Sequence, residues 1–190
     1  MSIRTYPAAT QLFAQGELAD EVLVLRDSVV KLVWTNESGA ETIVGLRWSG
    51  QFLATASCLA ETVHPATAIT LVPTTLERIA RDQFLTLVRI NPEFCARVLE
   101  TQSREVLELT NAIGALACVP ARSRLEKLLA YFAETCPKNR LPDGRLRLPV
   151  KYKDLAGLLA VRPEYLSRTL HAMADSGEIT LKDEWIILHR

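Results

Sequence analysis

With 190 residues, 48% hydrophobic and 23% charged, the chain is sized for one large domain or two small ones and has an ordinary globular composition. Its formal net charge is zero, but residues 1–117 carry 9 basic against 13 acidic side chains and residues 118–190 carry 13 against 9, so a mildly basic C-terminal part suited to a polyanion follows an acidic N-terminal part. No apolar run approaches the roughly 18 residues of a membrane span, and residues 1–7 are too polar for a signal peptide; the expectation is a cytoplasmic protein with no membrane partner.

In chain order, residues 10–80 read as short strands. Residues 22–25, 29–34, 42–46 and 66–71 are β-branched or alternating, and the stretches 36–39 and 49–50 punctuate them. Strands at about ten-residue spacing predict an antiparallel jelly-roll barrel. Residues 82–87 predict a short helix. Asn91 then caps a long helix with Pro92 at its first position and Glu93 in its first turn.

That helix is expected to run to about residue 116. Leu99, Val106 and Ile113 recur every seven residues, and Cys95, Gln102, Leu109 and Leu116 recur on an offset of three. This is a two-stranded seam over about three heptads, with polar Gln102 fixing register; the alternative is a stripe packed on the chain's own barrel. Pro120 ends the helix. Residues 121–135 predict another, with Leu125, Leu128, Leu129 and Phe132 as its apolar face. Residues 136–147 read as a loop or hairpin.

Residues 150–179 carry the strongest pattern, a helix-turn-helix running into a wing. Leu155, Ala156, Leu159, Val161, Leu166 and Leu170 are its apolar positions. The second helix turns Glu164, Tyr165, Ser167 and Arg168 the other way, and an acid, a hydroxyl and a guanidinium there suit base edges in a major groove. Lys153 on the first helix is expected beside the phosphate backbone, and His171 on the second touches phosphate or solvent. The blander reading of Glu164 and Arg168 is a solvated i,i+4 ion pair. Residues 178–181 and 185–188 form the wing strands around Lys182, Asp183 and Glu184, and His189 and Arg190 read as a solvated tail. The predicted organisation is α+β: a sensor barrel at 1–90, a dimerisation helix at 91–117 and a winged helix-turn-helix at 118–190.

Cys58, Cys95, Cys118 and Cys136 contain no CxxC pair, which excludes a zinc ribbon or a local iron–sulfur ladder. Four reduced, mostly buried thiols are expected, with a redox-sensing thiol as the alternative.

Barrel, long helix and winged helix-turn-helix in this order resemble the Crp/Fnr family of bacterial transcription regulators. The likeness rests on residues 13–32 (FAQGELADEVLVLRDSVVKL), Gly50-Gln51-Phe52, Leu76-Glu77-Arg78-Ile79 and most clearly residues 120–188. It implies a homodimer on palindromic double-stranded DNA, with RNA polymerase as a further candidate partner. Family members that read a TTGA-type half-site carry a Glu followed three and four residues later by Ser and Arg, here Glu164, Ser167 and Arg168. A carboxylate accepting from cytosine N4 and a guanidinium on guanine O6/N7 agree with that. Position 163, often basic in the family, is Pro163 here, leaving the phosphate contact to Arg162. The tight turn, often Gly, is Ala160.

The ligand cassette departs further. Cyclic-nucleotide binders of the family hold phosphate with an Arg-Ser pair and ribose with a Gly-Glu pair. By register with Gly50 and Phe84 those positions are His64-Pro65 and Ala54-Thr55, so guanidinium and carboxylate are both missing and a bound phosphate would lack a cation. The family's N-terminal cysteine cluster for an iron–sulfur sensor is absent. No cofactor is predicted. His64, the barrel's only histidine, reads as a surface loop residue, with haem ligation as the lesser alternative.

One histidine in residues 1–117 falls short of a metal cupin's ligand set, and neither GxSxG nor GxxxxGK[ST] occurs. The expected function is sequence-specific DNA-binding regulation with an effector other than cyclic AMP: an unidentified small molecule, a redox signal through a Cys, or none. A non-DNA-binding interaction protein with a vestigial helix-turn-helix is the alternative from another class.

Overall fold

A computed structural model of the chain describes residues 2–135, 141, 145–182 and 185–189. Met1, residues 136–140 and 142–144 (Cys136 and most of the stretch expected as a loop or hairpin), Asp183, Glu184 and Arg190 lie outside the described residues. The chain is α+β and falls into two compact units, Met1–Asn111 and Ala112–Arg190. No helix among the described residues is long and apolar enough to cross a membrane.

The first unit has eight strands: β1 (Ser2–Tyr6), β2 (Gln11–Phe13), β3 (Glu21–Asp27), β4 (Val29–Thr35), β5 (Glu41–Trp48), β6 (Phe52–Leu53), β7 (Thr67–Thr70) and β8 (Thr74–Ala80). They form two antiparallel four-stranded sheets, ordered β1-β8-β3-β6 and β2-β7-β4-β5. That order is the jelly roll the strand spacing predicted. Alternating residues of β3 feed both halves of the core. Val22 and Val24 pack with Phe52, Cys58, Ile79, Phe84 and Val98, while Leu23 and Leu25 pack with Val30, Leu53, Ala68 and Leu76. Three strands escaped the sequence reading. β1 is exposed along four of its five residues and so shows no apolar alternation, and β2 and β6 have only three and two residues.

A short helix α1 (Thr55–Leu59) follows β6, and α2 (Arg81–Ile90) follows β8. The Asn91 side chain then accepts a hydrogen bond from the Phe94 N–H at 3.0 Å, capping α3 (Pro92–Cys118) as expected. Pro120 separates α3 from α4 (Ala121–Thr135).

The second unit adds β9 (Arg145–Arg147), α5 (Tyr152–Leu158), α6 (Pro163–Asp175), β10 (Ile179–Lys182) and β11 (Trp185–Leu188). Its sheet is antiparallel, ordered β10-β11-β9. The predicted wing hairpin thus gains a third strand from a stretch read as loop or hairpin. Leu146 pairs opposite Ile186, both buried, and the Arg145 guanidinium lies 5.5 Å over the Trp185 ring. The core collects Leu125, Leu129, Phe132, Leu146, Leu155, Leu159, Leu166, Leu170, Met173, Ile179 and Ile186.

The expectation of mostly buried thiols needs correction. Cys58 is buried, Cys95 is half-buried and Cys118 is exposed. Burial pushes the Cys58 thiol up to about 11, against a smaller lowering effect of Arg81.

Candidate functional site

The helix-turn-helix begins with α5, whose Leu155 and Ala156 are fully buried while Lys153 stays exposed. The turn passes through Ala160 at φ 50°, the left-handed region where the family often has glycine. A residue with a Cβ there costs about 1 kcal/mol, so packing around it must hold the turn. Arg124 supplies part of that hold from α4. Its Nη2 donates to the Leu159 carbonyl at 2.6 Å and its Nη1 to the Val119 carbonyl at 2.7 Å.

Arg162 is the N-cap residue of α6, Pro163 stands in the first turn, and Glu164 supplies the first-turn acid favoured by the helix dipole. Leu166, Leu170 and Met173 bury one face of α6. Arg162, Glu164, Tyr165, Ser167, Arg168 and His171 are all exposed. Four of them, Arg162, Glu164, Tyr165 and Arg168, line with Val161 an open depression of about 490 Å³. Glu164 and Arg168 form no ion pair with each other, although i,i+4 pairs do form at Glu100–Arg104 and Arg122–Glu126. His171 holds its Nδ1 2.8 Å from the Ser167 carbonyl, leaving Nε2 outward.

On α3, Leu99, Val106, Leu109, Ile113 and Leu116 are exposed. The two remaining heptad positions, Cys95 and Gln102, are half-buried. Val98 and Phe94 of the same helix pack into the barrel core. The barrel contacts of α3 thus come from Phe94 and Val98, outside the heptad row, while most of the row stays exposed. Leu107, off that row, is also exposed.

A cavity of about 80 Å³ lies inside the barrel, lined among others by Phe13, Arg47, Phe52, Ala54, Thr55, His64 and Glu105. It contains the positions assigned to the cassette from sequence. Ala54 stands at φ 66°, again a left-handed alanine where the family carries glycine. His64 is not the surface residue expected. It is 4% exposed, its ring stacks on Phe13 at 3.8 Å, and its backbone is pinned by hydrogen bonds with Glu17 and Gly16. Burial lowers its pKa, with Glu17 and Asp20 acting in the opposite sense.

The inference that the cavity lacks a guanidinium and a carboxylate is also overturned. Arg47 enters from β5 and pairs with Glu105 from α3. The family's own positions, Ala54-Thr55 and His64-Pro65, do lack both groups, which come instead from elsewhere on the cavity wall. The signal missed in the sequence is a lone arginine between Leu46 and Trp48 in an otherwise apolar strand end, preceded by Gly45. A Cβ on Gly45 would stand 2.9 Å from Arg47 Nη1.

A jelly-roll barrel, a long helix with a free apolar row and a winged helix-turn-helix with an exposed polar face define a DNA-binding type of transcription regulator. The family model for the cyclic nucleotide-binding domain matches residues 3–91, and that for the Crp-like helix-turn-helix domain matches residues 123–190. The chain belongs to the Crp/Fnr family of transcription regulators. It is 28% identical over 178 residues to the cyclic AMP receptor protein of Thermus thermophilus, covering 94% of this chain and 79% of that protein. It is 22% identical over 189 residues to the cAMP-activated global transcriptional regulator CRP of Salmonella typhimurium, covering 98% and 89%. Among solved structures, the c-di-GMP responsive global regulator CLP of Xanthomonas campestris superposes with a TM-score of 0.86 at 19% identity, over 100% of this chain and 94% of that one.

Proposed function

We propose that this regulator acts as a homodimer on a palindromic site with TTGA-like half-sites, and that its effector is not cyclic AMP. The observation that carries the reading is the face of α6. Leu166, Leu170 and Met173 anchor it, leaving Glu164, Ser167 and Arg168 exposed together and unpaired with one another. In a major groove, Arg168 donates to guanine O6/N7 and Glu164 accepts from cytosine N4. Lys153 on α5, Arg162 at the α6 N-cap and His171 through Nε2 serve the phosphates, and Tyr165 flanks the reader. The free row on α3 pairs two chains so that two half-sites are gripped at once. The three working parts are the barrel at 1–90, the helix at 91–117 and the DNA-reading part at 118–190.

The proposal against cyclic AMP rests on the cavity. The cassette positions are Ala54-Thr55 and His64-Pro65, and the one guanidinium present, Arg47, is already taken by Glu105. At about 80 Å³ the cavity is roughly half the ~150 Å³ that admits benzene in an engineered apolar core. The same volume speaks against a haem beside His64.

The test is a binding scan over single-base variants of a TTGA half-site palindrome at two salt concentrations. Arg168→Ala should lose about 1–3 kcal/mol of preference at one guanine. Lys153→Ala should weaken all sequences alike and lower the salt slope by about one. Equal, uniform losses from both would refute the assignment of Arg168 as a reader.

A further inference from the structure

The Arg47–Glu105 pair inside the barrel is not a family cassette pair, and its two members are unequally held. The Arg47 side chain is 7% exposed and that of Glu105 is 27% exposed. Arg47 Nη1 also donates to the Leu46 carbonyl at 2.9 Å. The guanidinium is therefore built into the cavity wall. Glu105 comes from α3 and reaches toward solvent, so it is the partner able to leave. When it leaves, a buried guanidinium is stranded without a counterion, which is strongly unfavourable. Something anionic must take its place.

The cavity holds two further unanswered groups. Thr55 and His64 line this space, and the buried Thr55 hydroxyl and His64 Nδ1 have no hydrogen-bond partner among the described residues. Buried polar atoms are nearly always partnered, so each such orphan calls for an explanation. The His64 ring is held in place by its stack on Phe13, and Thr55 directly follows the left-handed Ala54.

We propose that the barrel cavity binds a small monoanion, a carboxylate or planar oxyanion of a few heavy atoms, on Arg47, Thr55 and His64, in exchange with Glu105. Size and charge both set this class. About 80 Å³ admits a few heavy atoms and no nucleotide. Cavity charge is already balanced by Glu105, so a monoanion fits only by replacing that carboxylate. The planar fork of the guanidinium favours a ligand with two coplanar oxygens. The Thr55 hydroxyl donates to a ligand oxygen, and His64 Nδ1 takes whichever role its tautomer provides. The second Glu105 oxygen accepts from Gln102 Nε2 at 3.0 Å, and Gln102 is the polar member of the α3 heptad pattern. Displacing Glu105 thus disturbs the helix proposed to join two chains. This deepens the reading of the barrel as a sensor and rests on it.

The experiment is isothermal titration and thermal melting of the full chain with sodium acetate and sodium nitrate, against sodium chloride at matched ionic strength. DNA and dimerisation are not read, so a failure here leaves the DNA-reading proposal standing. Expected are saturable binding of acetate or nitrate over chloride and a rise in Tm. Glu105→Gln, which removes the competing carboxylate, should lower Kd by about tenfold or more, the worth of one freed hydrogen bond to a charged group. Arg47→Gln should abolish binding. No saturable binding in either the wild-type chain or Glu105→Gln overturns the proposal, as does unchanged affinity in Arg47→Gln. If Arg47→Gln does not fold, an equal or weaker affinity in Glu105→Gln overturns it alone. The acetate and nitrate arms separate a carboxylate from an inorganic oxyanion.

Discussion

Replacing Val106 and Ile113 together by glutamate should convert a dimer into a monomer. In the single chain these side chains are 61% and 68% exposed, which leaves most of their apolar surface available to a partner. Fully burying such a side chain is worth about 1.5–3 kcal/mol, so the part exposed here amounts to about 1–2 kcal/mol for each. A symmetric pair buries four of them, or about 4–8 kcal/mol, before the cost of stranding carboxylates in the seam. The lower figure already raises the dissociation constant about a thousandfold. Because both positions are exposed in the monomer, its own folding should change by no more than about 0.5 kcal/mol per site. Leu107→Glu is the matched control: Leu107 is 65% exposed but lies off the heptad row, and its replacement should leave association intact. Sedimentation equilibrium over a concentration series reads the constants, and operator binding reads the consequence. A double variant that associates like the wild-type chain, or a wild-type chain that is monomeric at micromolar concentration, refutes the seam.

Titrating the wild-type chain with cyclic AMP should give no heat and no rise in Tm; micromolar binding would show that the cassette register is wrong. Ala160→Val should lower stability by about 1–2 kcal/mol in urea melts, because a β-branched side chain tolerates the left-handed turn less well than alanine, and an unchanged midpoint would mean the turn re-forms. Hydrogen bonds from Ser176 and then Arg122 hold the Glu178 carboxyl below the usual carboxylate range. Its stabilising contribution is therefore complete above its ordinary value and is lost as pH falls through the lowered one, so Glu178→Gln should flatten the acid limb of the melting profile. Cys58, buried and pushed up to about 11, should resist alkylation in the native chain at pH 8 while exposed Cys118 reacts; the reverse order would contradict the packing.

The DNA-reading end was legible because its signals are local. Leu155, Leu159, Leu166 and Leu170 recur at helical spacing, and the same periodicity that buries them turns Glu164, Ser167 and Arg168 outward. The jelly roll was legible in outline from strand spacing, and apart from the β4-β5 hairpin its strand order follows from pairings 28 to 76 residues apart that no local window contains. β1 was lost because its residues face solvent and its only definition is pairing with β8, Ser2 opposite Arg78 through Tyr6 opposite Thr74.

The sensor cavity was misread for a different physical reason. The family's anion-holding positions, His64-Pro65 here, carry no guanidinium, but a charge can arrive from another wall of the cavity. Arg47 and Glu105 are 58 residues apart, and either alone reads as an ordinary surface charge. Their meaning comes from burial. A guanidinium is almost never taken out of water unless paired. The same reasoning relocates His64, whose neighbour Pro65 suggested a loop tip. Hydrogen bonds at its own N–H and C=O tie it to residues 16 and 17, turning the ring inward onto Phe13. On the proposed reading, a barrel without the cassette's anion-holding pair but with Arg47 in the same cavity accepts a smaller ligand of the same sign of charge.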